Sequence, residues 1–153
     1  MEHNTRELAP EVLVPQLLAA MEEAGTVPLV ISGYSMTPFL AHRRDTVYLS
    51  KIDRPLKRGD MVFYRRDSGA YILHRVYRVE NETFTFVGDA QTQLEPGIRP
   101  DQTLALVTAV RRKGKLLRKG SFWWDFFEKV WIRMVPARPG VLKAYALISK
   151  LLR

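Results

Sequence analysis

The chain has 153 residues, 46% of them apolar and 10% aromatic, which is enough to bury one independent core with an appendage. It contains no cysteine, so disulfide staples, thiolate zinc sites and a cysteine-protease mechanism are all excluded. The formal net charge of +8 is unevenly spread: residues 1–110 carry 12 Lys and Arg against 14 Asp and Glu, whereas residues 111–153 carry 12 against 2.

The first eleven residues, MEHNTRELAPE, are polar, with more acidic than basic side chains and no apolar h-region. They do not form a secretion signal, and the chain is expected to stay on the cytoplasmic side. No run of 18 or more apolar residues exists, so no transmembrane helix is predicted. A helix is expected to start between Val12 and Pro15, where proline is tolerated because first-turn amides lack helical partners. Leu17, Leu18 and Met21 give it an apolar face, and Gly25 is its natural stop. Residues 1–26 thus form an N-terminal arm and helix.

From Val27 the texture changes to short runs rich in Val, Ile, Tyr, Phe and Thr, separated by Gly, Pro and charged turns. Strands are predicted near 27–31, 46–51, 61–66, 70–79, 83–87 and 103–111, with Lys113-Gly114 turning a last hairpin into Leu116 and Leu117. Residues 27–119 therefore read as a β-rich domain. After Gly120 the period becomes helical: Phe122, Trp123, Phe126, Phe127, Val130, Trp131 and Met134 cover one arc, opposite Asp125, Lys129 and Arg133. Pro136 and Pro139-Gly140 separate this helix from a second, over Val141 to Leu152. The basic, aromatic tail, residues 120–153, suits peripheral contact with an anionic membrane on its inner face better than nucleic acid. The alternative is that both amphipathic helices pack onto the β-domain or onto each other.

Four features carry chemistry: Ser-Gly-Tyr-Ser-Met-Thr-Pro at 32–38, Arg-Gly-Asp at 58–60, Leu-His-Arg-Val at 73–76 and Gly-Asp at 88–89. A serine hydroxyl becomes a nucleophile only with a base in hydrogen-bond reach. Ser35, between a strand and the Thr37-Pro38 turn, is the candidate nucleophile, and His74 is the candidate base. His3 and His42 fall in the N-terminal arm and a charged loop, and neither makes a better base. Deprotonating a lysine at neutral pH would cost about 4 kcal/mol, and no lysine occurs between Lys57 and Lys113. The Ser35 N–H is the first oxyanion donor, and Gly33 or the Ser32 hydroxyl is a candidate second. Met36 is assigned to the core.

In their order and content, these four motifs resemble signal peptidase I. More narrowly, His-Arg-Val followed by Gly-Asp is similar to the branch of the endoplasmic reticulum, archaea and some sporulating bacteria, in which histidine replaces lysine. LexA-type self-cleaving repressors are more distant relatives. The resemblance covers about residues 27–112 and not the tail. It implies a mainly β fold, a coiled β-sheet catalytic domain of the signal-peptidase and LexA kind, flanked here by an N-terminal helix and two C-terminal amphipathic helices. It also implies a serine endopeptidase that cleaves a leader or precursor peptide bound in extended form, with no metal or organic cofactor. Asp89 is the first candidate to orient His74, and Glu95, near the family's second acidic position, competes for that role. The resemblance also assigns Asp45 and Asp60 to positions that mostly shape turns between strands, and Tyr34 is an insertion relative to the commoner Ser-Gly-Ser-Met form. Two other readings stand beside it: a LexA-like self-processing protease, for which residues 1–25 are too short to supply a DNA-binding domain, and a non-catalytic peptide- or membrane-surface-binding protein on the same fold.

Overall fold

Proline at the head of the first helix sets where regular structure begins. In a computed structural model that describes residues 9–153, helix α1 spans Pro10–Ala24, with Pro10 in the first-turn position and Pro15 inside the helix. The helix thus starts earlier than the expected Val12–Pro15 window, because Pro10 rather than Pro15 supplies the amide-free first turn. It ends as expected at Gly25, whose φ of 84° lets its N–H return to the Met21 carbonyl at 2.8 Å. Val14 and Met21, seven residues apart, are its buried contacts.

The remainder is dominated by one antiparallel sheet built from β1 (Thr26–Val30), β2 (Thr46–Ser50), β3 (Met61–Arg65), β4 (Tyr71–Val79), β5 (Phe84–Val87), β6 (Glu95–Ile98), β7 (Thr103–Arg112) and β8 (Lys115–Leu117). The order is β1-β2-β7-β3-β4-β5-β6. The long β7 pairs with β2 on one side, and on the other with β3 through its first half and β8 through its last residues. Register shifts interrupt the β2–β7, β3–β7, β4–β5 and β5–β6 ladders, and such irregularities bend and twist a sheet.

The seven strands expected from sequence match β1 to β5, β7 and β8 within a residue or two. Strand β6 was not anticipated, because Glu95-Pro96-Gly97-Ile98 reads as a turn. Proline is tolerated there because β6 is the outermost strand, where a missing N–H breaks no ladder. Its pairing of Glu95 with Phe86 carries Glu95 beside the neighbouring strands.

Alternation along β3 and β4 splits the interior in two. Met61, Phe63 and Leu73 face a core shared with α1, Met36, Phe39 and Leu40, while Val62, Tyr64, Ile72 and Val76 face a second cluster with Phe86, Ile98 and Leu106. The expected first tail helix forms but is irregular: α2 (Phe122–Asp125) runs on through a π-turn over Phe126–Val130 into a 3-10 stretch over Trp131–Ala137, kinked at Met134. Trp124, Phe127 and Trp131 enter the first core, and Ile132 and Val135 pack on Val87. The second tail helix, α3, spans Arg138–Leu151 and leaves Tyr145, Leu147, Ile148 and Leu151 exposed. No described helix is long and apolar enough to cross a membrane.

Candidate active site

Ser35 sits in the turn that follows β1, and the turn is anchored from both sides. Met36 is buried in the core, and Arg112 of β7 donates to the carbonyls of Phe39 at 2.6 Å and Pro38 at 3.3 Å. Arg112, one of the excess basic residues of positions 111–153, is therefore engaged in shaping this turn. The Ser35 carbonyl accepts from the Ala90 N–H at 2.9 Å, which ties the turn to the loop after β5.

His74 lies on β4 opposite Val62 of β3, on the same face as Tyr64 and Val76. It is 3% exposed, and burial pushes its imidazole down to about 4, against the opposing pull of Glu95. A buried histidine of this kind is neutral at neutral pH, as a general base must be.

Gly88 is where the two candidates meet. A Cβ placed there would lie 2.6 Å from the Ser35 carbonyl oxygen and 3.0 Å from His74 Nε2. The backbone of the candidate nucleophile and the ring nitrogen of the candidate base thus converge on one point, and only a residue without a side chain fits between them. Ser35 Oγ makes no hydrogen bond to His74, whose Nδ1 is engaged elsewhere. The N–H groups of Ser35 and Met36 donate to no described residue, whereas Gly33 donates its N–H to His42 Nδ1 at 2.8 Å. The expected second oxyanion donor is therefore occupied, and the unengaged backbone donors are those of Ser35 and Met36. Ser32 is exposed beside them.

The two acidic candidates separate. Asp89 is fully buried and paired with Arg75, Nε to Oδ1, at 2.9 Å. Its carbonyl accepts from Trp131 Nε1 at 2.8 Å. Burial pushes its carboxyl up, against the pull of Arg75 and Arg138. Neither of its carboxylate oxygens bonds to His74. The Nδ1 of His74 instead faces the Tyr64 hydroxyl at 3.3 Å, Tyr64 bonds onward to Glu95, and Arg66 Nε holds Glu95 at 2.7 Å. Glu95 thus reaches His74 only through Tyr64. Neither Tyr64 nor Arg66 stood out in the sequence, where both read as ordinary residues of a strand and its end.

Compared with known proteins, the chain matches no family model, no curated protein and no solved structure.

Two hollows flank the Gly88 junction. An open cleft of about 520 Å³ is lined by Arg66, His74, Gln91, Gln93 and Glu95, and a smaller one of about 110 Å³ is lined by Ser32, Ser35, Met36, Tyr71 and Leu73. The loop between them is strapped by the tail: Arg138 donates to the carbonyls of Gly88 and Gln91, each at 2.8 Å, and to that of Trp131 at 3.0 Å. Among the described residues, no group of three or more His, Cys, Asp and Glu side chains is arranged to hold a metal ion. Asp45 accepts from the amides of Ala41 and Lys113, and Asp60 from Arg54 and the Lys57 amide, which fits their assignment to turns.

Proposed function

We propose that the chain is a serine endopeptidase of the histidine-type signal-peptidase kind, built on that family's coiled β-sheet, with Ser35 as nucleophile and His74 as base. The observation that carries this reading is the convergence of the Ser35 backbone and His74 Nε2 at Gly88, beside two unengaged amides suited to an oxyanion. The order of the Ser35, His74 and Gly88-Asp89 motifs supports it independently.

In the proposed cycle Ser35 Oγ attacks the scissile carbonyl carbon and passes its proton to His74 Nε2, while the N–H groups of Ser35 and Met36 receive the oxyanion. The C–N bond then breaks, and His74 returns the proton to the leaving amine. A water attacks the ester, gives a proton to His74, and the C–O bond breaks as Ser35 recovers its hydrogen. An extended precursor peptide running between the two hollows fits this arrangement.

The tail favours a second partner. From Lys129 onward the chain has no acidic residue, and α3 presents Tyr145, Ile148 and Leu151 to solvent beside Lys143 and Lys150. This combination suits an anionic membrane surface, which would place the site peripherally on the inner face.

Mass spectrometry of peptides incubated with the full chain tests the catalytic reading. Products should appear with wild type and vanish with Ser35→Ala and with His74→Ala. The double substitution should cost little more than either single one, because residues that act as a unit are not additive. Products that persist in Ser35→Ala would remove Ser35 as nucleophile, and no products with wild type would leave a non-catalytic binding protein as the better description.

A further inference from the structure

We infer that Tyr64 is the positioning residue of the site: its hydroxyl fixes the tautomer of His74, and Glu95 is linked by hydrogen bonds to the imidazole only through it. Arg66, Glu95, Tyr64 and His74 form one hydrogen-bonded series, and its protons can be placed one by one.

A phenol has one proton and two lone pairs. The Tyr64 hydroxyl donates to the Glu95 carboxylate, which Arg66 Nε holds at 2.7 Å, so the Tyr64 proton points at Glu95. Burial and Glu95 together push the phenol well above its ordinary range, so this proton stays in place. The Tyr64 oxygen is then only an acceptor toward His74, 3.3 Å away, and Nδ1 must be the ring nitrogen that carries hydrogen. That leaves Nε2 with a free lone pair, and Nε2 is the nitrogen that meets the Ser35 backbone at Gly88. The tautomer required of a base is thus written by a tyrosine.

The surroundings make the arrangement specific. Tyr64 is fully buried, and its ring packs on Phe86 with centroids 4.4 Å apart, so the hydroxyl is held rigidly. The carboxylate that would otherwise do this work, Asp89, is committed to Arg75. The unforeseen edge strand β6 is what brings Glu95 within reach. The same chain offers the imidazolium formed during turnover a route to negative charge without a direct ion pair.

The catalytic value of Tyr64 rests on the proteolytic reading, but the tautomer does not. The test is therefore nitrogen-15 NMR of imidazole-labelled full chain at neutral pH, read alongside kinetics. Wild type should show His74 protonated at Nδ1 and bare at Nε2. Tyr64→Phe keeps the ring and removes the acceptor, so the imidazole should move toward the Nε2–H form that neutral histidine prefers in water. Turnover should fall about 10- to 100-fold with KM little changed, the range seen when a metal-bound histidine loses its outer partner. Glu95→Leu, at a half-exposed position, removes the acceptor, frees the phenol proton to turn toward His74 and should shift the tautomer in the same direction even if Tyr64→Phe does not fold. A wild-type Nε2–H form, or an Nδ1–H form kept in the variants, overturns the inference. If wild type cleaves no peptide while the tautomer responds as described, the proteolytic reading fails and the role of Tyr64 stands.

Discussion

Arg75 and Asp89 form an ion pair 2.9 Å long with both side chains almost wholly shut off from water. They flank the site in sequence, one directly after His74 and the other directly after Gly88, yet point away from the imidazole into the layer closed by Trp131 and Arg138.

Asp89→Ala should therefore act on stability before it acts on chemistry. Removing one partner of a buried pair leaves an uncompensated charge and costs about 3–5 kcal/mol. Urea denaturation should show that loss. If Asp89→Asn instead left stability intact while abolishing cleavage, Asp89 would be the partner of His74 after all.

Gly88→Ala is the sharper probe of the site. The new methyl would press on the Ser35 carbonyl and His74 Nε2, and displacing a reacting group by even about 1 Å can cost on the order of 100-fold in rate. Kinetics on the folded variant should show a large fall in kcat. An unchanged kcat would mean that Ser35 and His74 do not work together across this glycine.

Acid should weaken the fold through His74. Its imidazole titrates at about 4 in the native state against 6.5 when unperturbed, so the unfolded chain takes up the proton first and native stability falls as pH drops through that window. The contribution is up to about 3 kcal/mol. The raised carboxyl of Asp89 works in the opposite sense, because the native state there binds its proton first. The informative quantity is thus the difference between wild type and His74→Gln in denaturation from pH 6.5 to 4; identical slopes would refute the assignment.

Helix α3 makes a prediction separable from catalysis. Wild type should sediment with anionic vesicles and not with zwitterionic ones, with each basic residue near the surface contributing about 1 kcal/mol. Ile148→Glu combined with Leu151→Glu should abolish that association and leave peptide cleavage in solution unchanged. Equal partition of variant and wild type would assign the apolar face of α3 to another partner.

Most of the sheet was legible because half-buried strands announce themselves by alternation and by the glycines and charges that separate them. Ser35 and His74 stood out because their motifs are local. Their neighbours did not. Tyr64 reads as one more aromatic in a strand buried on both faces, and its role depends on β6, whose Pro96-Gly97 disguises it as a turn. The partnership of Asp89 with Arg75 was hidden because both side chains belong to a layer completed by residues some forty to sixty positions later. The aromatic arc after Gly120 did show which residues bury, but periodicity carries no sign that Trp131 and Arg138 would close over the loop beside His74.

That closure bears on how the protein can be dissected. Arg138 is the first residue of α3 and is itself fully buried, so the seam between body and appendage runs after it, not at Gly120. A shortened chain ending near Gly120 would leave the Gly88 and Gln91 carbonyls without their guanidinium donor and Asp89 without its indole. Any trimming meant to spare the Ser35–His74 junction should begin beyond Pro139.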